Sequence, residues 1–152
     1  MIELRPLRTS DLGEVERWFD DVETQRWLGG RDWPAQSLRL VGEGRYVLLA
    51  TLDGIAIGLI DVETYGSRRA SFAIVVAPTA HRTGVGKRLL GAAFDHRLLA
   101  HIAEWFVGVE RGNDASRRLV QSIGFRQVTD EDGDGFTYYA RGESSSPWSL
   151  PD

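Results

Sequence analysis

Cysteine is absent from the 152-residue chain. That excludes disulfides, thiolate metal ligands and a cysteine nucleophile or acyl carrier. Long apolar runs are missing too: none approaches a membrane span, which takes about 18 residues. The opening MIELRPLRTSD has neither the basic nor the apolar region of a signal peptide, so a cytoplasmic location is expected. Charge of one sign is not in excess, with 18 Lys+Arg against 22 Asp+Glu and a net charge of -4. This balance speaks against general nucleic-acid binding. Histidine is scarce at three residues, and His96 and His101, five apart, fall on different sides of a helix. No carboxylate spacing completes a ligand set with them, so no metal site is expected. What remains is 42% hydrophobic and 26% charged residues, the make-up of one globular domain. We place that domain at residues 1–141. Residues 142–152 (GESSSPWSLPD) form a polar, aperiodic tail, either loose or a strap in which Trp148 packs on the body.

Ile2–Leu7 alternates apolar and polar side chains, the period of a half-buried strand. Thr9 and Ser10 stand where helix N-caps stand, and Leu12, Val15, Trp18 and Phe19 follow at helical spacing, predicting a helix over Asp11–Phe19. A second short helix around Val22–Leu28 stops at Gly29-Gly30, and Pro34 suits the start of another. Tyr46–Thr51 and Ile55–Val62 are β-rich runs separated by Leu52-Asp53-Gly54, a strong hairpin signal because Asp-Gly tolerates positive φ. Both runs are apolar on both faces, so they are predicted to be central strands. Ser71–Val76 is a third such run, ended by Pro78. A helix is predicted from Val85 to about Leu98, a strand over Trp105–Val109, and a helix over Asn113–Ile123 stopped by Gly124. Phe125–Val128 and Phe136–Ala140 make a final hairpin. The order gives a mixed sheet with helices on both faces.

Between a strand and a helix lies Ala80-His81-Arg82-Thr83-Gly84-Val85-Gly86-Lys87. Glycines let backbone N–H groups converge on one anion where a helix start already leaves donors unpaired, and Arg82 and Lys87 add charge. The plainer alternative is a loop that only turns tightly. A Walker A loop fails here, because the positions it needs are His81 and Arg88. Dinucleotide and protein-kinase glycine loops fail at Leu89.

His81-Arg82-Thr83-Gly84-Val85-Gly86 resembles the signature of the GCN5-related N-acetyltransferases (GNAT), in which Gln or Arg is followed by two residues, Gly, one residue, and Gly or Ala. His81 departs from the first position. Asn113-Asp114-Ala115-Ser116, then Leu119 and Gly124-Phe125, resembles the family's second landmark. The likeness spans Ile2 to about Arg141. It implies an α/β fold of the mixed, mostly antiparallel kind with helices on both faces, in the order β-α-α-β-β-β-α-β-α-β-β. It also implies a site for acetyl-coenzyme A as co-substrate, without metal. Its pyrophosphate would lie on the backbone of Arg82, Thr83, Gly84, Val85, Gly86 and Lys87. Its pantetheine arm would pair with the backbone of Ile74, Val75 and Val76 as an added strand. A backbone N–H near Val76 would stabilise the oxyanion formed when an amine attacks. Asn113 matches the residue that contacts the arm, and is equally placed as a helix N-cap.

The implied reaction is transfer of an acetyl group directly to a primary amine. The family's frequent Glu and Tyr positions are Ser71 and Val120 here. Glu63 and Glu110 are therefore the catalytic candidates, with Asp61 beside the first. Tyr65, Tyr138 and Tyr139 are candidate acids, and solvated strand-end carboxylates or hairpin packing are the plainer alternatives. Glu14, Glu16, Asp20, Asp21, Glu23 and Asp32 interleave with Trp18, Trp27 and Trp33 in the region that selects the acceptor in the family. They suggest a small cationic amine, such as a polyamine or aminoglycoside, unless the tryptophans are core and the acids a solvated face. The expected partner is a small-molecule amine, not nucleic acid or membrane, with a homodimer left open. A coenzyme A-binding module with little catalysis is the competing function.

Overall fold

The computed structural model describes residues 1–144 and 146–151, so Ser145 and Asp152 of the tail lie outside the described residues. Among the described residues seven strands form one sheet: β1 (Ile2–Pro6), β2 (Arg45–Leu52), β3 (Ile55–Tyr65), β4 (Arg69–Val76), β5 (Glu104–Glu110), β6 (Arg126–Gln127) and β7 (Phe136–Gly142). Their spatial order is β1-β2-β3-β4-β5-β7-β6, and every neighbour pair is antiparallel except β4 with β5. The Asp53-Gly54 hairpin forms as predicted, with φ 51° and 80° at its two turn residues.

Five helices cover the sheet: α1 (Leu12–Arg17), α2 (Val22–Leu28), α3 (Trp33–Arg39), α4 (Val85–Phe94) and α5 (Asp114–Ser122). Strand alternation sends Leu48, Ile60, Val62 and Phe72 to one face, where they pack with Leu89, Leu90 and Val120 of α4 and α5. Val47, Leu49, Leu59 and Val75 face the other way, onto Val15, Trp18 and Phe19 of the α1–α3 layer. Burial on both faces explains the unbroken apolar character of the central strands.

Some boundaries differ from the sequence pattern. The first predicted helix is split, with single 3₁₀ turns before and after α1. The helix expected to reach Leu98 ends at Phe94. There His96 takes over the chain: its Nδ1 accepts from the Leu98 N–H at 3.2 Å, and its Nε2 lies 3.3 Å from the Leu4 carbonyl. Asn113 caps α5 instead of joining it. Among the described residues no helix is long and apolar enough to cross a membrane.

Candidate functional site

Strands β4 and β5 share only three rungs: Arg69 with Glu104, Ala70 with Trp105, and Ser71 with Phe106. Beyond Ser71 the two strands part, and the opening leads to the glycine loop at the end of β4. Ala77 N–H donates to the Ile57 carbonyl at 2.9 Å, which turns the odd-numbered residues of β4 toward β3. By alternation Ile74 and Val76 aim their N–H and C=O groups into the opening. Val75 pairs with Leu59, so its backbone groups face β3 and its side chain lies 3% exposed beneath α1–α3. Two of the three strand residues singled out in the sequence thus present backbone to the cleft.

The loop turns through two left-handed residues, Arg82 at φ 63° and Gly84 at φ 79°. Gly84 is the N-cap of α4, and among the described residues no side chain caps that end. The first-turn N–H groups of α4 are left to an outside acceptor. Arg82, Thr83, Gly84 and Lys87 are exposed, whereas the Val85 side chain belongs to the core. A Cβ on Gly86 would stand 3.3 Å from Leu119 Cδ2, so this glycine lets α5 pack against the loop. His81, the departure from the family pattern, donates from Nε2 to the Val76 carbonyl at 2.9 Å and ties the loop to the end of β4.

Across the cleft, Asn113 Oδ1 accepts from the Ser116 N–H at 3.2 Å, the cap read from the sequence. Val120 is 1% exposed in the main core and presents nothing to the opening. Glu110 ends β5 with an exposed side chain. It shares the α1–α3 face of the sheet with Phe106 and Gly108.

At the closed end of the cleft the same face carries Arg45, Asp61, Glu63, Tyr65 and Ser71, brought together by register: Arg45 opposite Glu63, and Glu63 opposite Ser71. Asp61 is 5% exposed and receives two hydrogen bonds from Arg45, both 3.0 Å. That pairing spends its carboxylate. Glu63 stays 45% exposed, 3.5 Å from the Arg45 Nη1. Burial raises the Tyr65 phenol, the Ser71 hydroxyl pulls it the other way, and the Glu63 charge adds to the rise. Burial likewise raises Tyr138. Both phenols therefore keep their protons near neutrality. Tyr139 is 3% exposed in the opposite core and is removed from the acids.

The acidic N-terminal cluster is less available than its composition suggests. Asp20 pairs with Arg31 at 3.1 Å, Asp21 accepts from Thr24, and Asp32 accepts from Gln36. Trp18 is core and Trp33 stacks on Phe19. Of the three tryptophans, Trp27 is the one that reaches the site: a Cβ on Gly112 would lie 3.8 Å from its ring, so α2 arches to the turn after β5.

Of the two alternatives for the tail, the strap is the one that forms. Residues 146–151 do not hang loose, because Trp148 stacks on Tyr138 and meets Phe106 on this face. The sequence signal was an aromatic residue in an otherwise polar, aperiodic stretch.

A family model described as an acetyltransferase (GNAT) domain matches residues 2–126. No curated protein sequence matches the chain. Among solved structures, an aminoglycoside acetyltransferase in complex with coenzyme A superposes with a TM-score of 0.77 at 20% identity, over 93% of this chain and 95% of that one. The Campylobacter jejuni N-acetyltransferase PseH in complex with acetyl coenzyme A gives 0.71 at 20% identity, over 95% and 100%. Spermidine N-acetyltransferase from Vibrio cholerae, in complex with coenzyme A and spermine, gives 0.73 at 17% identity, over 91% and 92%.

Proposed function

Because this chain belongs to the GNAT acetyltransferase family, we propose that it transfers an acetyl group from acetyl-coenzyme A directly to the primary amine of a small molecule. The observation that carries the reading is the parting of β4 from β5 beside an uncapped helix start. The opening offers Ile74 and Val76 for strand-like pairing with the pantetheine arm. The backbone from Arg82 to Lys87, with the two basic side chains beside it, receives the pyrophosphate. Asn113 keeps its Nδ2 donor for the arm while Oδ1 caps α5. Bound in this way, acetyl-coenzyme A supplies an activated acyl group as a thioester.

The amine attacks the acyl carbon and the carbon–sulfur bond breaks. Ile74 N–H, the cleft-facing donor nearer to Ser71 than the Val76 N–H expected from the sequence, donates to the acyl oxygen as charge develops there. Glu63 takes the proton from the amine, directly or through the Ser71 hydroxyl opposite it. Asp61 does not compete, because Arg45 holds it. Tyr65, kept protonated by burial, returns a proton to the departing thiolate. Glu110, at the mouth of the cleft, is the alternative base. Small amines are supported as acceptors by the neighbours crystallised with such molecules. The cationic-amine idea now rests on Glu63 and Glu110 more than on the helical acids, three of which have local partners.

A thiol-release assay with an amine panel tests this. We expect amines to accelerate coenzyme A release well above the amine-free rate, and Glu63→Gln to lower kcat by about 100-fold. If Glu110→Gln does so instead, the base assignment moves to Glu110. A second reading, a coenzyme A-binding module, draws on Ser71 and buried Val120. It would be favoured if coenzyme A raises Tm but no amine accelerates release. Absence of any Tm shift would remove both.

A further inference from the structure

The tail folds back over the sheet. Trp148 stacks on Tyr138 with centroids 5.7 Å apart and planes inclined by 28°, and meets Phe106 edge-on at 5.6 Å. Its indole N–H donates at 3.2 Å to Oε1 of Glu104, a carboxylate 2% exposed. Arg69 binds the same oxygen at 2.7 Å, lies 5.3 Å from the Phe106 and Trp148 ring centres, and donates to the Ser149 carbonyl at 2.8 Å. A buried carboxylate shared by an indole and a guanidinium is costly to expose, which fixes the strap in place.

Its position matters more than its attachment. Phe106 is the β5 residue of the last rung, so the indole stands where the strands part. Tyr65 packs on Phe106 from the β3 side at 5.6 Å. Gly108, next on that face, has no side chain, and the Tyr138 ring takes the room: its Cε1 is 2.9 Å from where a Cβ would be. Tyr65, Phe106, Tyr138 and Trp148 therefore form one aromatic surface at the closed end of the cleft. The Arg69 guanidinium is taken by Glu104, and Arg45 binds Asp61 with two hydrogen bonds while reaching Glu63 at 3.5 Å, so Glu63 is a half-exposed, more loosely paired carboxylate beside that surface.

We propose that the strap is a wall of the acceptor site, that Trp148 with Tyr138 selects the acceptor, and that the preferred acceptor is an amine carried on a ring. This rests on the acetyl-transfer reading above. An aryl ring, or the C–H face of a sugar ring, packs on the aromatic surface while its ammonium reaches Glu63, whereas a linear polyamine gains little from such a wall.

The test compares wild type, Trp148→Ala and Trp148→Phe with an amino sugar, 2-phenylethylamine and spermidine as acceptors. It reads KM for each amine, KM for acetyl-coenzyme A, and Tm. We expect Trp148→Ala to raise KM for the two ring amines by about tenfold, as loss of a stacked aromatic contact predicts. KM for acetyl-coenzyme A and for spermidine should stay within about twofold, and Trp148→Phe should recover most of the ring-amine loss. The wall is overturned if Trp148→Ala leaves every amine KM unchanged. It is also overturned if all KM values and Tm worsen together and Phe does not rescue them, because that is a structural role. A wild-type protein that acetylates no amine overturns the transfer reading itself, and the wall with it; an active wild type with an indifferent Trp148→Ala overturns the wall alone.

Discussion

Gly84 and Gly86 sit two positions apart and look interchangeable in the sequence, yet they meet different demands. Gly84 holds φ at 79°, and a Cβ placed there would meet nothing within 4 Å, so only its backbone conformation calls for glycine. Gly86 has ordinary dihedrals and is short of space, with Leu119 in the way. Replacing Gly84 with Ala forces a left-handed residue on the loop, a cost of about 1–2 kcal/mol. The expected result is a several-fold weaker affinity for coenzyme A by titration calorimetry, with a Tm lower by a few degrees, as that backbone cost gives in a chain of this size. The sequence placed this loop between a strand and a helix but could not separate the two glycines, since neither the sign of φ nor the neighbour at Leu119 is encoded locally. The same limit applies to carboxylates. Asp61 and Glu63 are equivalent on pattern, and what divides them is Arg45, sixteen residues away and across a strand pair. Trp148 and Glu104, 44 positions apart, are a longer case of the same kind.

Among the elements, α5 begins at a residue to which the proposed function gives a second role beside its cap. Asn113 Oδ1 is committed to the Ser116 N–H, while Nδ2 has no such commitment in the cap. Asn113→Asp keeps the cap and removes the amide donor. We therefore expect it to melt close to wild type but to bind coenzyme A several-fold more weakly, as the loss of one hydrogen bond would give. Asn113→Ala should in addition lower stability by about 1 kcal/mol in denaturant unfolding. If Asp binds coenzyme A as wild type does, Asn113 is a cap and nothing more. Element identity was legible for most of the chain, because α4 carries a helical apolar stripe and the central strands are unbroken β-rich apolar runs between turn signals. Element ends were less so. The helix expected to run to Leu98 stops at Phe94 since His96 makes bonds to Leu98 and Leu4 that a local pattern does not reveal. The final hairpin keeps just two residues of β6, Arg126 and Gln127.

For the molecule as a whole, the α1–α3 layer is pinned to the sheet partly by charge. Arg5 on β1 makes two hydrogen bonds of 2.8 Å with Asp11 ahead of α1, and these hold the Asp11 carboxyl below its ordinary value. Asp21, bonded by the Thr24 N–H, is lowered as well. A lowered folded-state value means the stabilisation is complete above the unfolded value, about 4, and is lost as pH falls through the folded one. Tm should therefore drop on acidification below about pH 4, and Asp11→Asn should start lower at pH 7 and fall less steeply in that range. Melting curves from pH 7 to pH 3 check this; parallel curves for the two proteins would show that the pair contributes nothing to the acid limb.

The three-rung join between β4 and β5 has one more consequence. A seven-stranded sheet normally has two borders, here β1 and the very short β6. This one has two more in its middle, where both strands run on past Ser71 and Phe106 without pairing to each other. Open strand borders are templates for other chains, and proteins usually blunt or cover them. In the function proposed above, the cover is the co-substrate itself. A ligand that binds only the folded form also shifts the folding balance in its favour. The supply of acetyl-coenzyme A would then govern not only turnover but also how long the chain resists strand-to-strand association with its own copies.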